Sequence, residues 1–113
     1  MPSLGELERA VMERLWAADG PLTARAVQDG LTARDLATTT VLTVLGRLER
    51  KGLVTRERDG RAHRYRAVGS REEYIAELMN DALDAASDRG AALARFVGSI
   101  APEERARLRD LLD

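Results

Sequence analysis

The chain has 113 residues, of which 44% are hydrophobic and 33% charged, with a formal net charge of −1. That length fits one domain, or one with an appendage that depends on a partner, and the composition fits an ordered soluble chain. Cysteine is absent, which excludes disulfides, thiolate metal sites, thiol nucleophiles and cysteine redox sensing, and no apolar run approaches the roughly 20 residues that span a bilayer.

Ser3-Leu4-Gly5-Glu6 has the S-x-x-E form of a capping box. Behind it Leu4, Leu7, Val11 and Leu15 recur at helical spacing and predict a first helix to about Ala17. Glu6, Glu8 and Arg9 in this segment make it a poor signal peptide, so a cytoplasmic chain without membrane insertion is expected. Asp19-Gly20-Pro21 breaks the helix. Thr23 then caps a short second helix through Leu31 that turns Ala26, Val27 and Leu31 inward, and Pro21-Leu22 before it can supply a small extra strand. A break near Thr32 to Leu36 leads into a third helix, which ends at Lys51-Gly52.

The third helix has two faces. At about 100° per residue, Val41, Val44, Leu45 and Leu48 fall on one side, and Thr39, Thr40, Thr43, Arg47 and Arg50 on the other. Threonine is a mediocre helix former. Thr38 can serve equally as a cap, but capping does not explain Thr43, a full turn inside. Short hydroxyls suit base edges and cations suit phosphate, so Thr38, Thr39, Thr40, Thr43, Arg47, Arg50 and Lys51 form the candidate DNA-reading set. Arg50 has an alternative in pairing with Glu49 or Glu57.

Leu53 to Arg58 reads as a strand, Asp59-Gly60 as a two-residue hairpin turn, and Arg61 to Val68 as the return strand. Arg58, Arg61, His63 and Arg64 are the candidate wing contacts, although an arginine-rich hairpin is also a solubility device for an edge strand. Residues 36–68 carry eight basic and three acidic side chains, whereas residues 70–113 carry six and ten. Such clustering of positive charge is the footprint of a nucleic-acid binder.

Ser70-Arg71-Glu72-Glu73 forms a second capping box, followed by an apolar stripe of Ile75, Leu78, Met79, Ala82, Leu83 and Ala86. After Asp88-Arg89-Gly90 come a short helix with Leu93, Phe96, Val97 and Ile100, and a last helix opened by Pro102 with Leu108, Leu111 and Leu112. These 44 residues are too few for a solid core of their own. Ile75, Leu78, Met79, Leu83, Leu93, Phe96, Val97, Leu108 and Leu111 are therefore the candidate dimerisation residues, packing on a second copy rather than folding back.

The expected fold is mostly α with a small β-hairpin. A winged helix-turn-helix domain over residues 1–69 is followed by C-terminal dimerisation helices over 70–113. Catalysis is not expected, because the only histidine, His63, lies in an arginine-rich hairpin and no phosphate-binding glycine loop occurs. No metal site or cofactor is expected either. A winged-helix protein–protein module and a small-molecule-gated regulator remain as alternatives to an operator-binding repressor.

In LGELERAVMERLW, TTTVLTVLGRLERKGLV, DGRAHRYRAV, SREEYIAELMNDAL and ALARFVGSIAPEERARLRDLL the chain resembles the BlaI/MecI penicillinase-repressor family over nearly its whole length. The resemblance implies a cytoplasmic repressor that binds two-fold operator DNA as a homodimer through its C-terminal helices. It also implies control of β-lactamase or related resistance genes, relieved when a membrane sensor protease triggers cleavage. By position, Thr39, Thr40, Thr43 and Arg47 match the family's recognition-helix contacts, and Arg61 with its hairpin matches the wing. The family's best-known cleavage site is an Asn-Phe bond, and the matching candidate here departs from it as Arg95-Phe96. Related copper-responsive repressors carry cysteine-rich motifs, which this chain lacks.

Overall fold

In the computed structural model, which describes residues 4–31 and 36–113, a glycine stands at the head of the first helix. Helix α1 (Glu6–Ala17) has Gly5 as its N-cap, and the Glu8 carboxylate accepts the Gly5 N–H at 3.0 Å. The predicted box on Ser3 and Glu6 is thus replaced by a half-box two residues later; Ser3 itself lies outside the described residues. Val11, Met12 and Leu15 are buried on one face of α1, with Leu4 and Leu7 only half-buried.

Strand β1 (Leu22–Thr23) and helix α2 (Ala24–Asp29) follow. The Thr23 hydroxyl accepts the Ala26 N–H at 3.1 Å, the expected cap. The helix ends two residues earlier than predicted because Gly30 and Leu31 close it with backbone bonds to Ala26, Val27 and Gln28. Ala24 and Val27 are its buried residues, whereas Ala26 and Leu31 are half-buried, so the inward face is rotated from the expected one. The expected break falls mostly on residues 32–35, outside the described residues.

Helix α3 (Thr38–Arg50) buries Val41, Val44, Leu45 and Leu48, the face its periodicity predicts. It ends in a Schellman motif: Leu53 N–H donates to the Leu48 carbonyl at 3.0 Å, Gly52 N–H to that of Glu49 at 3.0 Å, and Gly52 has φ 80°. Strands β2 (Val54–Asp59) and β3 (Ala62–Ala67) form the hairpin, and β1 pairs with the free edge of β3, giving the antiparallel order β1-β3-β2. Asp59 pairs with Ala62, so Gly60 and Arg61 are the turn residues, one position later than the sequence suggested. Gly60 has φ 65° while Arg61 does not share a positive φ, which places the glycine first in the turn, as in a type II′ hairpin.

Helix α4 (Arg71–Asp84) is opened by Ser70, whose hydroxyl accepts the Glu73 N–H at 3.1 Å. Backbone contacts divide the chain into two units at Ala76/Glu77, inside this helix. The first unit holds the core: Val11, Met12, Val27, Val41, Leu45, Leu48 and Val54 are the largest fully buried side chains. Trp16 is half-buried at its margin, 5.6 Å from the buried Tyr74 ring, with the Arg71 guanidinium 5.7 Å from the indole centroid. The second unit contains the end of α4, α5 (Arg89–Ser99, capped by Asp88) and α6 (Pro102–Leu112). Among the described residues it has no buried side chain.

Candidate nucleic-acid interface

The outward face of α3 is built by the same helix that supplies the core. Thr38, Thr39, Thr40, Thr43, Arg47 and Arg50 are all exposed, opposite Val41, Val44, Leu45 and Leu48. The threonines differ in what their hydroxyls already do. Thr38 is not the cap, a position taken by Ala37; its hydroxyl donates to the Gln28 side chain, whose amide donates to the Leu36 carbonyl at 2.7 Å. That pair of bonds ties the entry of α3 to α2. Thr43 donates to the Thr39 carbonyl at 3.0 Å, which leaves its oxygen lone pairs and its methyl facing outward. No hydrogen bond within the protein engages the Thr39 or Thr40 hydroxyl among the described residues.

The cations sort by whether a carboxylate already holds them. Lys51, expected at phosphate, is instead half-buried and donates to both Glu8 carboxylate oxygens, at 2.9 and 2.8 Å. This bond, and next to it the Gly5 N–H, draws the Glu8 carboxyl below its ordinary value against the opposing effect of burial. Arg56 pairs with Glu49 at 3.2 Å, Arg64 with Asp59, and Arg66 with Glu57 at 3.8 Å. Glu49 and Glu57 are therefore engaged by hairpin arginines and not by Arg50. Among the described residues Arg50, Arg58 and Arg61 make no ion pair, and Arg47 only adds to the field at Glu8 from beyond ion-pair distance.

The hairpin register aims these groups. Residues directly opposite in an antiparallel pair share a face. Arg58 stands across from His63 and Arg56 across from Tyr65, while Arg64 stands across from Glu57. The first face carries buried Val54 and Tyr65 at its base and Arg58 at its tip. Arg58 bends over the turn, its Nε donating to the Gly60 carbonyl at 3.1 Å, and exposed Arg61 occupies the turn itself. His63 is half-buried edge-on to Tyr65, and its Nδ1 is buried without a hydrogen bond among the described residues. No group of three or more His, Asp or Glu among the described residues is placed to hold a metal ion.

The model of the penicillinase repressor family matches residues 4–113. The chain is also 52% identical over 113 residues to "Transcriptional regulator BlaI" of Mycobacterium tuberculosis strain H37Rv, covering 96% of this chain and 82% of that protein.

The chain belongs to the penicillinase repressor family.

Its fold recurs in solved regulators. A MarR family protein from Bacillus stearothermophilus matches with a TM-score of 0.54 at 25% identity, over 98% of this chain and 71% of that one. An ArsR-like transcriptional regulator from Rhodococcus sp. RHA1 matches with a TM-score of 0.55 at 23% identity, over 86% and 84%. This penicillinase repressor homologue is thus a winged-helix, DNA-binding transcriptional regulator, as its Mycobacterium tuberculosis relative is named. No helix among the described residues is long and apolar enough to cross a membrane.

Two residues of the α3 face escape a reading by charge and hydroxyls. Leu42 is 44% exposed, although its type suggests core. Gly46 sits beside it in mid-helix. A helical wheel shows both on the outward side; what hides them is that neither has a polar group. In the second unit Met79 (54%), Leu93, Phe96, Val97 and Leu111 (65%) are exposed, Ile75 sits at the margin of exposure in the first, and Leu78, Leu83 and Leu108 are half-buried. The Arg95-Phe96 bond lies inside α5.

Proposed function

We propose that this protein is a cytoplasmic, operator-specific repressor that binds two-fold DNA sites as a homodimer. Helix α3 enters the major groove and the hairpin tip lies along the backbone. The observation that carries this reading is the sorting of the cations. Within α3 and the hairpin, the arginines that make no ion pair among the described residues lie on the outer face of the helix and at the hairpin tip, while Arg56, Arg64 and Arg66 are each held by a carboxylate. Thr39 and Thr40 keep free hydroxyls at the start of the same face, where base edges are read.

The homodimer is supported by the second unit. It exposes apolar side chains on α4, α5 and α6 and buries none, and a segment that short does not cover them itself. Membership of the family extends the proposal to β-lactamase or related antibiotic-resistance genes as the regulated set. Release then follows proteolysis triggered by a membrane sensor protease. The Arg95-Phe96 bond is the candidate scission point; being helical, it must open locally before a protease can take it.

Fluorescence anisotropy on the duplex upstream of its own gene, against a scrambled duplex at two salt concentrations, tests the proposal. Tight, salt-sensitive binding with preference for the upstream duplex is the expected result. Equal binding to both duplexes would remove operator specificity at that locus. No binding at low salt would leave the outward face of α3 as a protein-docking surface.

A further inference from the structure

Gly46 is placed where the fold has no use for a glycine. It lies in mid-α3, four residues after exposed Leu42 and four before Arg50, and at about 100° per residue it falls on the outward face between Leu42 and Thr39. Its φ is not positive. A β-carbon built there meets nothing of the protein but the tip of Arg50, at an ordinary 3.8 Å. Alanine would therefore fit without strain and would strengthen the helix. The other mid-chain glycines on this side of the fold have reasons on the page: Gly52 and Gly60 hold positive φ at the end of α3 and in the hairpin turn.

The missing side chain leaves bare backbone on the outward face one turn from exposed Leu42. An exposed leucine alone needs no explanation. Next to a glycine that packing does not require, it makes an apolar notch in the middle of a face otherwise lined by hydroxyls and arginines. The major-groove edge of a base pair offers one apolar group, the C5-methyl of thymine.

We propose that Leu42 and Gly46 form a notch that receives a thymine methyl, the absent β-carbon letting the α3 backbone approach the base-pair edge. This rests on the DNA-reading assignment of α3. The notch makes Leu42 and Gly46 specificity-determining residues, and it fixes an A·T pair at one position of each half-site.

The test replaces each thymine of the bound upstream duplex by deoxyuridine, one position at a time, which removes only the methyl. Binding is measured by anisotropy at fixed salt for the unaltered protein, Gly46→Ala and Leu42→Ala. One position per half-site should weaken the unaltered protein about fourfold, the factor equivalent to one buried methylene. Gly46→Ala should bind the native duplex about tenfold more weakly, melt at a higher temperature, and lose the response to deoxyuridine at that position, as should Leu42→Ala. A protein that is more stable yet reads DNA less well is not the product of a purely structural role. A flat thymine scan in the unaltered protein, or Gly46→Ala binding at full strength, overturns the notch while leaving the DNA-binding reading intact. Failure of the unaltered protein to bind the upstream duplex or any other would overturn both.

Discussion

Arg61 and Arg64 stand three residues apart in one hairpin, yet only Arg64 is held by a carboxylate, that of Asp59. A cation already paired releases little when it meets a phosphate, whereas a solvated one displaces a condensed counterion. Arg61→Ala should therefore weaken binding to all duplexes alike and flatten log K against log salt by about 0.9, the value for one phosphate on duplex DNA. Arg64→Ala should change the salt slope less, because its charge is already offset by Asp59 in the free protein. Titrations of both variants at four salt concentrations check the ordering. Thr39→Ala should act differently, lowering the preference for the native over the scrambled duplex with little change in the salt slope, because a hydroxyl directed at a base edge carries sequence and not charge.

At the scale of elements, the Glu8–Lys51 bond links the first turn of α1 to the C-cap of α3. Its side chains are only 12% and 28% exposed, so screening by solvent does not erase it. Glu8 has a folded pKa below its ordinary value, chiefly through Lys51. Its contribution to stability is present above the unfolded carboxylate range and is lost as pH falls through the folded value. Glu8→Gln should lower stability by about 1 kcal/mol at neutral pH. It should also make the urea midpoint less sensitive to pH below about 4 than in the unaltered protein. Gly52→Ala places a side chain at φ 80° and breaks no other contact, so a loss of about 1–2 kcal/mol is expected from the same unfolding measurement.

The element order was legible in the sequence because helical periodicity, Thr23, Ser70, Lys51-Gly52 and the Asp-Gly pair each encode a local geometry. The phase of the hairpin turn was not, because Asp-Gly marks a turn while cross-strand pairing decides which two residues occupy it. The Glu8 partner of Lys51 was not legible for a related reason. A cation next to the reading helix looks available until the fold brings a carboxylate 43 residues away against it. Leu42 and Gly46 went unread because a search by polar chemistry passes over groups that act by shape.

For the whole molecule, burial stops short of the second unit, and the homodimer is what that asymmetry predicts. Phe96→Asp, placed on an exposed apolar helix face, should convert a dimer to a monomer in sedimentation and weaken operator binding far more than binding to a half-site. Equal sedimentation of variant and parent would remove α5 from the interface. The joint between α3 and the hairpin has a different consequence. Only Lys51, Gly52 and Leu53 separate them, and all three are fixed: Lys51 to Glu8, Gly52 and Leu53 to the end of α3, with the Leu53 carbonyl also taking the Val68 N–H at 3.0 Å. On the proposed DNA-binding reading, the helix that would enter the groove and the hairpin that would follow the backbone are joined at one spacing, like the jaws of a gauge locked at a single setting. A duplex whose groove width differs must itself deform to fit, so base pairs that no side chain reaches will still be selected, through the stiffness of the DNA they form.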